Sequence, residues 1–84
     1  MPKTHELKTL PEYFAAVADG SKPFEVRRND RNFAVGDGLL LREYNPETTE
    51  QYTGRKIWLT VSYVLLGGQF GIEPGYAVLG LKRR

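Results

Sequence analysis

The residues best suited to chemistry in this 84-residue chain lie in one short run, Gly20-Ser21-Lys22-Pro23-Phe24-Glu25-Val26-Arg27. Lys22 and Arg27 offer charged N–H donors to a phosphate or a carbonyl, while Glu25 accepts from a base amino group. Glu25 and Arg27 are two positions apart, so a strand projects both from one face. Together the three make a polar lining suited to a nucleotide. In an enzyme, Lys22 and Glu25 are the catalytic candidates. A lysine serves as base or nucleophile only when it gives up its proton readily, which a neighbouring Arg27 favours and a neighbouring Glu25 opposes. The same three residue types also read as a solvated strand face carrying an ion pair, worth at most about 1 kcal/mol when exposed.

Other residues extend the list. Arg27, Arg28 and Arg31 sit within five positions and Lys82-Arg83-Arg84 ends the sequence, so positive charge is clustered and available to phosphates. Tyr44, Phe70 and Tyr76 are candidates for stacking on unpaired bases, and each is equally suited to a core. His5, the single histidine, can hydrogen-bond a ligand or act as a base near neutral pH. The chain has no cysteine, which excludes thiol nucleophiles, disulfides and Cys-ligated zinc. One histidine and scattered carboxylates give no metal-ligand spacing. Gly67-Gly68-Gln69-Phe70-Gly71 lacks the Lys-Ser or Lys-Thr of a P-loop, so no cofactor is expected.

The elements that must position these groups are legible in outline. Leu10, Tyr13, Phe14 and Val17 recur at helical spacing, predicting a helix from about Leu10 to Asp19 with those four residues inward. Thr9 and Glu12 form a capping box, Pro11 suits the first turn and Gly20 is the stop. His5 to Lys8 reads as a short strand before it. After Gly20 the period becomes alternating: Phe24 and Val26 point one way, Glu25 and Arg27 the other. Val35-Gly36-Asp37-Gly38 is a turn, Leu39 to Tyr44 a strand, and Asn45 to Glu50 the tip of a long hairpin. Ile57 to Leu66 is the longest β-rich run, expected to place Ile57, Leu59, Val61, Tyr63 and Leu65 on one face. Tyr76 to Leu81 supplies a last strand.

With 40% hydrophobic and 26% charged residues, the chain fits one globular domain over residues 1–84. One Trp, five Tyr and four Phe must fill a modest core. The polar stretch Met1 to Lys8 has no apolar segment of the secretory kind, and Val64-Leu65-Leu66 falls far short of the roughly 20 residues that span a bilayer. A soluble, cytoplasmic protein without a membrane partner is expected. Net charge is +2, a mild excess that permits phosphate-bearing partners.

The pattern Gly20-x-Lys22-x-x-Glu25-x-Arg27, set between an amphipathic helix and a Val-Gly-Asp turn, resembles the signature of the ASCH domain superfamily. The whole chain, from His5-Glu-Leu-Lys to Phe70-Gly-Ile-Glu-Pro-Gly-Tyr76, looks like the subfamily known as DUF3850, found in bacteria and phages. The resemblance implies an α+β fold: a small PUA-like β-barrel of about five mostly antiparallel strands, one N-terminal helix packed on it, and the motif residues lining a cleft between the two. It also implies a nucleic-acid-binding module for RNA, single-stranded nucleic acid or a nucleotide, with His5, Lys22, Glu25, Arg27, Arg28 and Tyr76 as ligand-binding residues. The alternative is a small amidohydrolase of N4-acylated cytidine, like some ASCH relatives. There a Lys, a Thr three residues later and a distant Glu are implicated. Lys22 matches the first, Glu25 stands where the Thr is expected, and Glu73 is the candidate for the third by location.

Overall fold

The computed structural model describes residues 2–84. Its elements are β1 (Thr4–Thr9), α1 (Pro11–Ala18), β2 (Phe24–Arg28), β3 (Gly38–Tyr44), β4 (Tyr52–Leu66) and β5 (Tyr76–Arg83). The strands form one curled sheet, a half-barrel, in the order β1-β3-β4-β5-β2. β1 and β3 run parallel, and every other neighbouring pair is antiparallel. The α+β class and the curled, mostly antiparallel sheet with one early helix are as expected.

Strand alternation sets the interior. In β1, His5, Leu7 and Thr9 point inward while Thr4, Glu6 and Lys8 point out. Their β3 partners Leu39, Leu41 and Glu43 continue the inward set. Leu59 and Val61 of β4 with Ala77 and Leu79 of β5 complete it, and α1 packs Phe14 and Val17 against it. Phe14 is 1% exposed, so truncating it would cost about 3–5 kcal/mol through lost burial and a cavity.

Five local expectations change. No capping box forms: Thr9 closes β1 as a buried inward residue, leaving Leu10 as a helix cap without a side-chain hydrogen bond. The helix buries only Phe14 and Val17, because Leu10 and Tyr13 are 46% and 47% exposed beside a cleft. In β2 the apolar face is the outer one. Phe24 and Val26 are exposed while Glu25 is buried, since the concave side here meets the cleft rather than the core. In β4 a bulge between Val61 and Tyr63 shifts the pleat, so that Val64 packs on the core and Tyr63 is 63% exposed. β4 also begins earlier than expected, at Tyr52, where it pairs with Tyr44 across the hairpin.

β1 and β2 are the two ends of the sheet order, and no backbone ladder joins them. Arginine side chains bridge this seam instead. Arg27 Nη2 donates to the Lys8 carbonyl at 2.8 Å, and Arg31 Nη1 donates to the Glu6 carbonyl at 2.8 Å. These carbonyls are on the side of β1 away from β3, where the strand has no partner of its own.

Candidate functional site

The site is built where α1 ends, β2 begins and β1 finishes. Gly20 adopts φ +86°, a left-handed conformation that lets the chain turn out of the helix. The Lys22 N–H then donates to the Ala16 carbonyl at 3.0 Å, fixing the strand entry against the last helical turn. Arg83, arriving from β5, donates to the Ala18 carbonyl and so supplies the cation that this helix end lacks in its own sequence. Ser21 donates through both its backbone N–H and its hydroxyl to Asp19 Oδ1, at 2.8 and 2.6 Å. The hydroxyl bond, then the backbone bond, hold the Asp19 carboxyl below its usual range.

This geometry brings the motif together. Lys22 Nζ lies 2.7 Å from Glu25 Oε1, and Arg27 Nε donates to Glu25 Oε2 at 3.0 Å. Arg27 Nη2 also reaches the Thr9 hydroxyl at 3.3 Å. Glu25 is 3% exposed, whereas its two partners are only partly buried. The three side chains form the floor of a cleft of about 410 Å3, with Thr9 beside them and Lys8, Leu10 and Tyr13 on its walls. That volume lies toward the small end of ligand sites. Lys22 Nζ stands 5.3 Å from the Tyr13 ring centroid and 5.4 Å from that of Phe24, which places a cation between two partly exposed aromatic rings.

Bonding capacity remains after these contacts. An ammonium has three N–H donors, of which Glu25 takes one from Lys22. Each Glu25 oxygen accepts one bond and keeps a second lone pair. The Thr9 hydroxyl accepts from Arg27 and retains its own proton to donate. The cleft therefore presents a donor and an acceptor side by side under a net positive charge.

The remaining sequence candidates stand elsewhere. His5 is buried at the other end of β1, with Nε2 2.9 Å from Asp37 Oδ2 and its ring edge-on to Phe33 at 4.8 Å. It reaches no part of the cleft. Asp37 also accepts from the Lys3 and Ala34 N–H groups, each at 3.1 Å. Burial alone would raise the Asp37 carboxyl, but the bond from His5 and those two backbone bonds outweigh it and hold it below its ordinary value. Arg28 is exposed on the outer side of β2, its guanidinium 5.9 Å from the Tyr76 ring on the neighbouring strand. Glu73 is exposed in the β4–β5 connection and does not line the cleft.

Thr9, Lys8 and Tyr13 line the cleft without having been singled out as binding residues. The alternation of β1 carried the signal for Thr9. Inward His5 and Leu7 require an inward residue 9, which a helix-cap assignment concealed.

Among the described residues, no helix is long and apolar enough to cross a membrane. Residues 4–81 match the family model described as "Domain of unknown function (DUF3850)". The chain is also similar to an Escherichia phage P2 protein described as "Uncharacterized 12.9 kDa protein in GpA 3'region". The identity is 42% over 57 residues, covering 68% of this chain and 50% of the phage protein. The chain thus spans about half the length of this curated relative. With nearly its whole length inside the family match, the chain belongs to the DUF3850 family.

Proposed function

We propose that the cleft binds one unpaired nucleotide, free or within a nucleic-acid strand, and that the protein is a nucleic-acid-binding module of the ASCH, PUA-like kind. The observation that carries this reading is the buried Glu25 carboxylate clamped between Lys22 and Arg27 on the floor of an open cleft. Glu25 retains lone pairs for an exocyclic amino group, and Lys22 retains donors for an adjacent ring nitrogen or carbonyl. That pairing fits the Watson–Crick edge of cytosine, and in part that of adenine. Tyr13 supplies a stacking surface on the cleft wall, while Lys8 adds charge for a phosphate.

Titration of the ¹⁵N-labelled protein with cytidine, adenosine, uridine and guanosine 5′-monophosphates tests the reading. Shifts centred on Thr9, Tyr13, Lys22 and Glu25, strongest for cytidine and lost in Lys22→Ala, are expected. Absence of binding by all four, or binding indifferent to both Lys22→Ala and Glu25→Gln, overturns it.

A hydrolytic reading is favoured by one observation: the Thr9 hydroxyl shares the cleft with Lys22 and Glu25. A hydroxyl missing from position 25 is thus available from β1. In that reaction, water adds to the acyl carbon of an N4-acylated cytidine, the C–N bond breaks, and a carboxylate and free cytidine leave. Acetate release from N4-acetylcytidine, abolished in both Thr9→Val and Lys22→Ala, would establish it. The Lys22–Glu25 pair favours binding over hydrolysis, because Nζ is committed to a carboxylate 2.7 Å away rather than aimed at an acyl carbon.

A further inference from the structure

The outer face of β1, β3 and β4 is composed unlike the rest of the surface. Register places Lys8, Arg42 and Lys56 in one row across three strands, with Glu6, Leu40 and Trp58 in the next. Tyr44 and Tyr52 pair beyond the first row, and Thr60 and Lys82 beyond the second. Arg84 completes the face by donating to the Thr60 hydroxyl at 3.1 Å while its guanidinium lies 5.7 Å from the Trp58 ring. Lys8, Arg42, Lys56, Lys82 and Arg84 thus stand against Glu6 as the single acid in these rows, and Glu6 sits 3.5 Å from Arg42.

Cations and rings are interleaved throughout. Arg42 lies 4.0 Å from the Tyr52 ring centroid and Lys8 4.6 Å from that of Tyr44. Tyr52 and Trp58 nevertheless remain 37% and 44% exposed. A face that served only solubility would not need three aromatics on it. The outer side of β2 and β5 differs in charge rather than in rings: Phe24, Val26, Val78 and Tyr76 stand there with Arg28, 5.9 Å from the Tyr76 ring, as the one cation of those rows. Successive outward positions along a strand are about 6.6 Å apart, so rings and cations recur at intervals suited to an extended chain of bases and phosphates. A groove of about 320 Å3, lined by Lys8, Arg27, Arg31, Arg42 and Tyr52 among others, joins this face to the cleft.

We propose that this outer face is a platform for an unpaired polynucleotide, with bases stacking on Tyr52 and Trp58 and phosphates held by Arg42, Lys56 and Arg84. Positive charge supplies the attraction to phosphate, and exposed rings select unpaired bases over a duplex, whose bases are already stacked. The platform goes beyond the cleft and rests on Tyr52, Trp58, Arg42, Lys56 and Arg84, none of which lines the cleft; Lys8 alone is common to both. A cleft that took no mononucleotide would leave it standing, and failure of the platform would leave the cleft standing.

Trp58 is the chain's only tryptophan, so its fluorescence reports directly from the proposed surface. Unstructured twelve-nucleotide ribo- and deoxyribo-oligomers, each compared with its own duplex, are titrated against the full chain at several salt concentrations. Saturable quenching by the single strands is expected, and the tighter of the two identifies the polymer. Tyr52→Ala should weaken binding roughly tenfold. Arg42→Ala with Lys56→Ala should lower the log–log salt slope by about 1.4, or about 0.7 for each phosphate contact. Lys56→Glu, at an exposed position, repeats the charge test without disturbing the hairpin, and Phe70→Ala, an exposed ring in the β4–β5 connection and off this face, should change nothing. A silent Trp58, equal affinity for duplex and single strand, or equal effects of Tyr52→Ala and Phe70→Ala would overturn the proposal.

Discussion

Two carboxylates, Asp37 and Glu25, are each 3% exposed and stand near opposite ends of β1, yet the fold holds them by different means. Asp37 takes its bonds from two backbone N–H groups and a buried imidazole, none of which can leave without moving the chain. Its own turn is locked from outside. The Gly36 N–H donates to the Val61 carbonyl, and the Val61 N–H returns the bond to the Asp37 carbonyl, each at 2.8 Å. Glu25 is held by the tips of two long side chains, and those tips border open space. Equal burial therefore conceals a structural knot at one end and an adjustable receptor at the other. Among the described residues, no buried side-chain polar atom lacks a partner, so the distinction lies in what the partners are, not in whether they exist.

Three substitutions probe this difference, beginning with the largest effect. Asp37→Ala leaves two backbone N–H groups and His5 without their acceptor, and should cost about 3–5 kcal/mol. For a domain of this size that lowers Tm by more than about 10 °C, measurable by calorimetry. The effect should depend on pH. A carboxyl held low in the folded state contributes its stability fully above its unfolded value of about 3.9, and loses it as pH falls through the lower folded value. The gap between wild type and variant should therefore be wide at neutral pH and narrow in acid, and a gap independent of pH would mean that the carboxylate charge is irrelevant to the knot.

Glu25→Gln should cost less, about 1–2 kcal/mol, because Lys22 and Arg27 can turn toward water. Denaturant unfolding measures it, and a loss equal to that of Asp37→Ala would erase the comparison. Lys22→Ala is expected to change stability by no more than about 1 kcal/mol, since the lysine is partly exposed and Arg27 still holds Glu25. If nucleotide binding survives intact in this variant, the receptor half of the contrast fails.

Much of the scaffold was legible from local pattern. β1, the Gly36 turn, β3 and the hairpin follow from alternation and turn chemistry, and the Lys22–Glu25–Arg27 cluster follows from spacing on a strand. What was hidden depends on contacts distant in sequence. The inversion of β2 is an example, because Val26 looks like core until the cleft takes the concave side. The bulge after Val61 is another: nothing between Val61 and Tyr63 announces that the pleat will slip and turn Tyr63 outward. His5 was a chemical candidate because histidine is versatile, but its role follows from Asp37, 32 residues away. Thr9 reads as a cap because Glu12 follows three residues later, whereas the parallel pairing with β3 carries the strand through it.

The arginine seam also bears on how the protein keeps apart from other copies of itself. An outer strand with free carbonyls invites another strand to add to it, and charged side chains laid along that edge oppose the addition. Arg27 and Arg31 occupy the Glu6 and Lys8 carbonyls that an incoming strand would use. Arg27 consequently serves colloidal stability and the cleft at once. Redesigning it for a new ligand would bare the edge of β1, and the first sign should be self-association seen by light scattering before any loss of helix or sheet.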